Sequence, residues 1–230
     1  SRPLLTAGPS FDGVGRRQAL WDLVRFVGRA ARHLALRLPS GRTVPGLNAP
    51  ASGRETGVLF HMLDARTTAA VRAAAKAERT TVGGLLSASV ARSVHAASRA
   101  SRRAHVAVIN AVDVREAMAG DASRRVDLLM SFVVTHHRAG DDRSLYDLAR
   151  ECSEGVRRAI SRRDPVVPHT LATLLPSIEP GEAVRATIRV ADRFATSAAV
   201  TNVGPVAIAN AYGGLTLDAV RFAPSLGFMG

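Results

Sequence analysis

Two strings decide how this chain is read: Thr80-Thr81-Val82-Gly83-Gly84-Leu85-Leu86-Ser87-Ala88-Ser89-Val90-Ala91, and after it Asn110-Ala111-Val112-Asp113-Val114-Arg115. Thr81 can start a helix, because its hydroxyl accepts from the free amides of a first turn. Val82, Leu85, Leu86, Val90 and Val94 then recur at helical spacing and predict one apolar face. Val106–Asn110 is a short apolar run rich in β-branched residues, which predicts a strand leading into the second string.

Reading outward, the alternation continues on both sides. Val58–Leu63 predicts a strand, and Asp64 caps a helix running to about Glu78. Leu128–Thr135 predicts a long apolar strand. Asp142 or Ser144 opens a helix carrying Leu145, Leu148, Cys152, Val156 and Ile160, which Pro165 and Pro168 break. A short apolar segment, His169–Leu175, precedes predicted strands at Val184–Val190, Ala198–Asn202 and Leu215–Phe222. Strands and helices mixed in this order predict an α/β (α+β) fold, a layered domain on a mixed sheet.

The first part of the chain differs. Residues 1–15 read as a Pro/Gly-rich loop, and Gln18–Leu38 as a helix stopped by Pro39-Ser40-Gly41. Its stripe of Leu20, Leu23, Val24, Val27, Ala31 and Leu34 is expected to pack onto the domain. Arg25, Arg29 and Arg32 lie on another face and are expected to meet solvent, or the headgroups of a membrane in peripheral contact. Residues 39–56 have linker composition. The chain therefore divides into a crossover or linker segment, 1–53, and a domain, 54–230. The start at Ser1 and the end at Ser225–Gly230 read as cuts in a longer protein.

Composition narrows the class. The 230 residues are 47% apolar and 22% charged, which suits a globular core. No apolar run approaches the roughly 20 residues of a membrane-spanning helix. Cys152 is the single cysteine, so it has no internal disulfide partner, and a reducing, cytoplasmic location is expected. The net charge of +12 comes almost wholly from arginine, Lys76 being the one lysine, in an alanine-rich chain. GC-rich coding produces that pairing. Aromatic residues make up only 4%, too few for base stacking, and nucleic acid is not expected as a partner.

Two further strings complete a pattern: Ser131-Phe132-Val133-Val134-Thr135 and Val200-Thr201-Asn202-Val203-Gly204-Pro205-Val206. In order and spacing the four resemble the C-terminal half of the condensation-domain-like, chloramphenicol-acetyltransferase-like acyltransferase superfamily. Wax-ester synthases and polyketide-associated acyltransferases are among its members. The resemblance covers about residues 55–225, with Met130 where the family often has Gly. It implies one lobe of the CoA-dependent acyltransferase fold, with a tunnel between two such lobes. The implied parent reaction moves an acyl group from a thioester to an alcohol or amine. It further implies an acyl-CoA or acyl-carrier thioester as co-substrate and no tightly bound cofactor. The N-terminal lobe of the same protein would be the partner. That lobe would carry HHxxxDG, whose second histidine is the general base.

The chain holds a near match, His136-His137-Arg138-Ala139-Gly140-Asp141-Asp142. Asp142 replaces the motif's Gly, and the string follows Asp113 and Arg115 where the catalytic motif should precede them. It reads better as the equivalent strand–loop–helix of the second lobe, with His136 and His137 ending a strand. The rival reading makes His137 the base and Asp141 its orienting residue. Asp113 and Arg115 read as a structural ion pair, buried and positional. Asn202 and Gly204 read either as a turn or as a close approach to a ligand. Cys152 reads as a small core residue. No residue is assigned as catalytic or as cofactor-binding, and no metal is expected. The competing class is a non-catalytic condensation-like lobe that binds a partner or an acyl ligand.

Overall fold

The computed structural model describes residues 18, 20–28, 57–98, 104–115, 130–140, 142–167, 197–205, 208–209 and 211–222. The expected strand at Val184–Val190, the segment His169–Leu175, and Arg29, Ala31, Arg32, Leu34 and Asp141 lie outside them.

Both predicted caps form. Asp64 Oδ1 accepts from the Thr67 amide at 2.6 Å and opens α1 (Ala65–Ala77). Thr81 Oγ1 accepts from the Gly84 amide at 2.9 Å and opens α2 (Val82–Ala97). Ser144, rather than Asp142, caps α3 (Leu145–Ser161). Its chain leaves through a 3-10 turn, Asp164–Val166, with Pro165 at the position where a missing amide costs nothing.

The sheet is mixed. β1 (His105–Asp113) pairs antiparallel with β2 (Met130–Arg138) and parallel with β3 (Ala198–Val200), in the order β2-β1-β3. Ser197 fixes the entry to β3: its amide donates to Ala107 O at 2.8 Å, and its hydroxyl accepts from the Ala107 amide at 3.1 Å. The register sets Val106 opposite His137 and Val108 opposite Thr135, so these share one sheet face. α2 and α3 cover that face. Ala88 and Ala91 from α2 meet Leu148, Ala149 and Cys152 from α3 over Val106 and Val108. This is the mixed-sheet, layered α/β architecture expected from the alternation.

Four expectations need correction. Residues 57–64 form no strand; Val58, Leu59, Phe60, Met62 and Leu63 are all exposed, and no strand pairs with them among the described residues. Instead 60–62 run beside 219–222, where the Arg221 guanidinium stands 5.7 Å from the Phe60 ring centre. The strand expected over Leu215–Phe222 shrinks to Leu215–Thr216 (β5), a hairpin with Ala211–Tyr212 (β4). Gly213 at φ 61 supplies its left-handed turn residue.

The deep face of α2 is not the predicted one. Gly84, Ser87, Ala88, Ala91 and His95 are buried, the larger aliphatics flank them, and Leu86 is exposed. The helices lie too close for large side chains on the contact line. A Cβ on Gly84 would stand 2.0 Å from Ser153 Oγ and 2.7 Å from Ala149 O. Likewise, in the helical stretch 20–28, Leu20, Val24 and Val27 are more than half exposed. The face turned inward carries Asp22, Leu23 and Phe26, with Asp22 Oδ2 3.4 Å from Arg163 Nε. Arg25 is exposed, as expected.

Candidate functional site

A cleft of about 370 Å³ opens where the sheet edge meets the first turn of α2. Thr81 to Gly84 form one side, Asn110 and Ala111 of β1 the floor, and Val200 and Asn202 the far side. Cys152, Ser153, Val156, Arg157 and Ile160 of α3 close it. Three of the four sequence strings therefore meet here, although they are far apart along the chain.

The local chemistry explains why those residue types stand there. Ser153 Oγ lies 2.9 Å from Thr80 Oγ1 and 3.0 Å from Thr81 Oγ1, and accepts from the Thr81 amide at 3.2 Å. One hydroxyl on α3 thus ties down the start of α2, and Gly84 leaves the room for it. Asn110 is buried and fully engaged. Its Oδ1 accepts from Ser87 Oγ at 2.7 Å, and its Nδ2 donates to Val108 O at 3.1 Å and Thr135 Oγ1 at 3.0 Å. It clamps α2 to β1 and β2 and has no donor left for a ligand. Asn202 makes a turn, Oδ1 accepting from the Gly204 amide at 3.0 Å with Gly204 at φ 71. The turn and the approach to the cleft coexist: Asn202 Nδ2 would be 3.7 Å from a Cβ on Gly83.

Asp113 and Arg115 do not reach the cleft, and they are not buried. Asp113 Oδ1 accepts from the Arg115 amide at 2.8 Å and its Oδ2 from Arg115 Nη1 at 2.7 Å, with side chains 58% and 43% exposed. The pair is a solvated turn at the end of β1, and the expectation of a buried pair is corrected.

The near match begins at the end of β2. His136 and His137 both belong to β2 and point to opposite faces. His137 is 2% exposed, under α3. Its Nδ1 is 2.9 Å from Glu151 Oε1, and Glu151 Oε2 accepts from Arg143 Nη1 at 2.7 Å. Arg92 in turn donates to the Arg143 carbonyl. The hydrogen bond from His137, with help from Arg143, holds the Glu151 carboxyl at about 2 against an ordinary value of 4.5. His137 Nε2 is buried with no partner among the described residues, and His137 does not line the cleft.

Sequence reasoning missed Ser153, Glu151, Arg143 and Arg157. The signal for Glu151, Ser153 and Arg157 was their position on α3, one turn or less from Leu148, Cys152 and Val156; Arg143 precedes the helix cap and gave none. Cys152 also lines the cleft but is fully buried, and burial pushes its thiol up to about 12, away from the reactive thiolate form. No three His, Cys, Asp or Glu side chains gather as a metal set among the described residues. No helix among them is long and apolar enough to cross a membrane.

A family profile described as phthiocerol/phthiodiolone dimycocerosyl transferase C-terminus matches residues 55–226. A search of curated proteins finds no match. Among solved structures, the chain is similar to polyketide synthase associated protein 5 from Mycobacterium tuberculosis, at 14% identity and a TM-score of 0.43. That similarity covers 77% of this chain and 43% of the other, so the chain spans less than half the length of that protein.

Proposed function

We propose that this chain, which belongs to the phthiocerol/phthiodiolone dimycocerosyl transferase C-terminus family, is the C-terminal lobe of a thioester-dependent acyltransferase. The observation carrying this reading is the convergence of Thr81–Gly84, Asn110 and Asn202 on one cleft inside the matched span. The cleft forms one wall of the channel for the acyl donor, a thioester of coenzyme A or of a carrier protein. The acceptor is an alcohol or an amine.

In the reaction, a base takes the proton from the acceptor O–H or N–H. The acceptor atom attacks the thioester carbonyl carbon, the new C–O or C–N bond forms, the C–S bond breaks, and the thiolate leaves and takes up the proton. The residues here serve that chemistry by shape. Ser153 and Asn110 hold the walls, and Val82, Val156, Ile160 and Val200 exclude water from the arm of the donor. The base is assigned to the partner lobe, and among the described residues no histidine or carboxylate lines the cleft.

The test is thiol release from an acyl thioester in the presence of an alcohol acceptor. Residues 1–230 alone give no turnover, and addition of an N-terminal lobe carrying HHxxxDG restores it. Turnover by the isolated chain, abolished by His137→Ala, overturns this reading. The second reading is a non-catalytic lobe that binds a partner through the exposed apolar residues of 58–63. Full assembly with the N-terminal lobe and still no turnover on any thioester decides for it.

A further inference from the structure

We propose that the helical stretch 20–28 is a membrane-surface element, which lays its outer face on an anionic phospholipid bilayer whether or not the acyl-transfer reading holds. A surface helix ordinarily buries its apolar stripe and turns its polar residues to water. Here the arrangement is reversed. Asp22, Leu23 and Phe26 face the domain, while Leu20, Trp21, Val24 and Val27 are 52–61% exposed. At about 100° per residue these four fall within about 120° of the helix circumference, opposite the docked side. Asp22 holds the helix this way round. Its Oδ1 accepts from Gln18 Nε2 at 2.9 Å, and its Oδ2 lies 3.4 Å from Arg163 Nε, just past α3. The carboxylate is thereby anchored inward, and the apolar stripe is left facing outward.

Charge complementarity selects the occupant. Between residues 13 and 33 the sequence holds Arg16, Arg17, Arg25, Arg29 and Arg32 against a single carboxylate, Asp22. That carboxylate is already paired with Arg163. Arg25 borders the apolar arc, is exposed, and makes no ion pair with a described residue. A protein partner would have to supply an apolar groove with a matching acidic rim. An anionic bilayer supplies both at once, acyl chains for the stripe and phosphates for the arginines. Trp21 suits the same boundary, because an indole ring is apolar with one N–H donor that stays at the headgroup level. The stretch is much shorter than the roughly 20 residues needed to span a bilayer, so it lies on the surface.

Trp21 is the one tryptophan of the chain, so its fluorescence reports on this face alone. Residues 1–230 are titrated with vesicles of phosphatidylglycerol, and with vesicles of phosphatidylcholine as the neutral comparison. Binding is read by co-sedimentation and by Trp21 emission. We expect binding to phosphatidylglycerol to be more than about tenfold tighter, because each arginine near an anionic surface adds to it. Trp21 emission shifts to the blue and is quenched by lipids brominated high on the acyl chain. Val24→Ser weakens binding about tenfold through the lost burial of one valine. Arg25→Gln weakens it about fivefold, the weight of one arginine. Both side chains are exposed, and an unchanged thermal transition shows that each variant folds. Leu59→Ser, on the other exposed apolar run, leaves vesicle binding as it was. Co-sedimentation with Trp21 unquenched places the contact elsewhere and overturns the proposal. So does equal binding to both lipids, binding to neither, or full binding by Val24→Ser. A blue shift that grows with protein concentration without lipid assigns the face to a second copy. One produced by an added N-terminal lobe that then prevents vesicle binding assigns it to that lobe. Either result overturns the proposal as well.

Discussion

Gly84 and Gly83 are neighbours with opposite tolerances, and the contrast shows what the cleft demands of single residues. A methyl on Gly84 would collide with the backbone carbonyl of Ala149 and with the Ser153 hydroxyl, which already holds Thr80 and Thr81. Gly84→Ala is expected to cost about 1–3 kcal/mol through overpacking, with a lower melting temperature. Gly83→Ala meets only an ordinary contact at 3.7 Å and lies inside a helix, where alanine is favoured over glycine by about 1 kcal/mol. It should be neutral or stabilising, and a matched pair of thermal melts decides. Asp113→Ala follows from exposure in the same way. A solvated ion pair is worth about 0–1 kcal/mol, not the several kcal/mol of a buried one, so the variant should melt close to the unaltered chain. A loss of several kcal/mol would mean that Asp113 is covered in solution.

At the scale of the element, β2 and α3 with the loop between them form one electrostatic unit. The folded Glu151 carboxyl, at about 2, lies below its ordinary 4.5. A depressed acid adds stability that is complete above the unfolded value and is lost as pH falls through the folded one. Stability should therefore fall between about pH 4.5 and 2, and Glu151→Gln should flatten that part of the profile in a denaturant series read at several pH values. An unaltered acid limb in the variant would show that the His137 and Arg143 contacts are not kept in solution. This unit was only half legible in the sequence. Strand, loop and helix were readable from apolar runs and from Ser144. The pairing of His137 with Glu151 was not, because it depends on how α3 lies across β2. The same holds for α2, whose cap at Thr81 is a local matter and was legible. Its buried face was set by the distance to α3, and the pattern of large aliphatics misreported it. The Val58–Leu63 run carried a true apolar signal without a strand, since a strand needs a neighbour. The convergence of Asn110, Asn202 and Thr81 was hinted at only by the order of the strings, and the cleft itself came from the fold.

At the scale of the molecule, many of the exposed apolar side chains among the described residues fall at 58–63 and 212–222. Leu59 is 99% exposed and Leu215 75%, and Phe60, Met62, Tyr212, Val220 and Phe222 are all more than half exposed. A lone soluble domain seldom presents so much contiguous apolar chain, and such surface marks an interaction site or drives association. Within the proposed function, the N-terminal lobe is what covers it. Leu59 contributes nothing to the stability of this chain by burial, so Leu59→Ser should change its melting by less than about 0.5 kcal/mol. In the assembled protein the same side chain would be buried, and its loss should weaken lobe binding by about 1.5–3 kcal/mol, or roughly tenfold to a hundredfold. Residues 1–230 alone should self-associate in sedimentation velocity, and Leu59→Ser should reduce that association. Adding the lobe should replace the self-associated species with a one-to-one complex. A chain that stays monomeric at high concentration, and binds the lobe equally well with Leu59→Ser, would show that this surface is not where the two lobes meet.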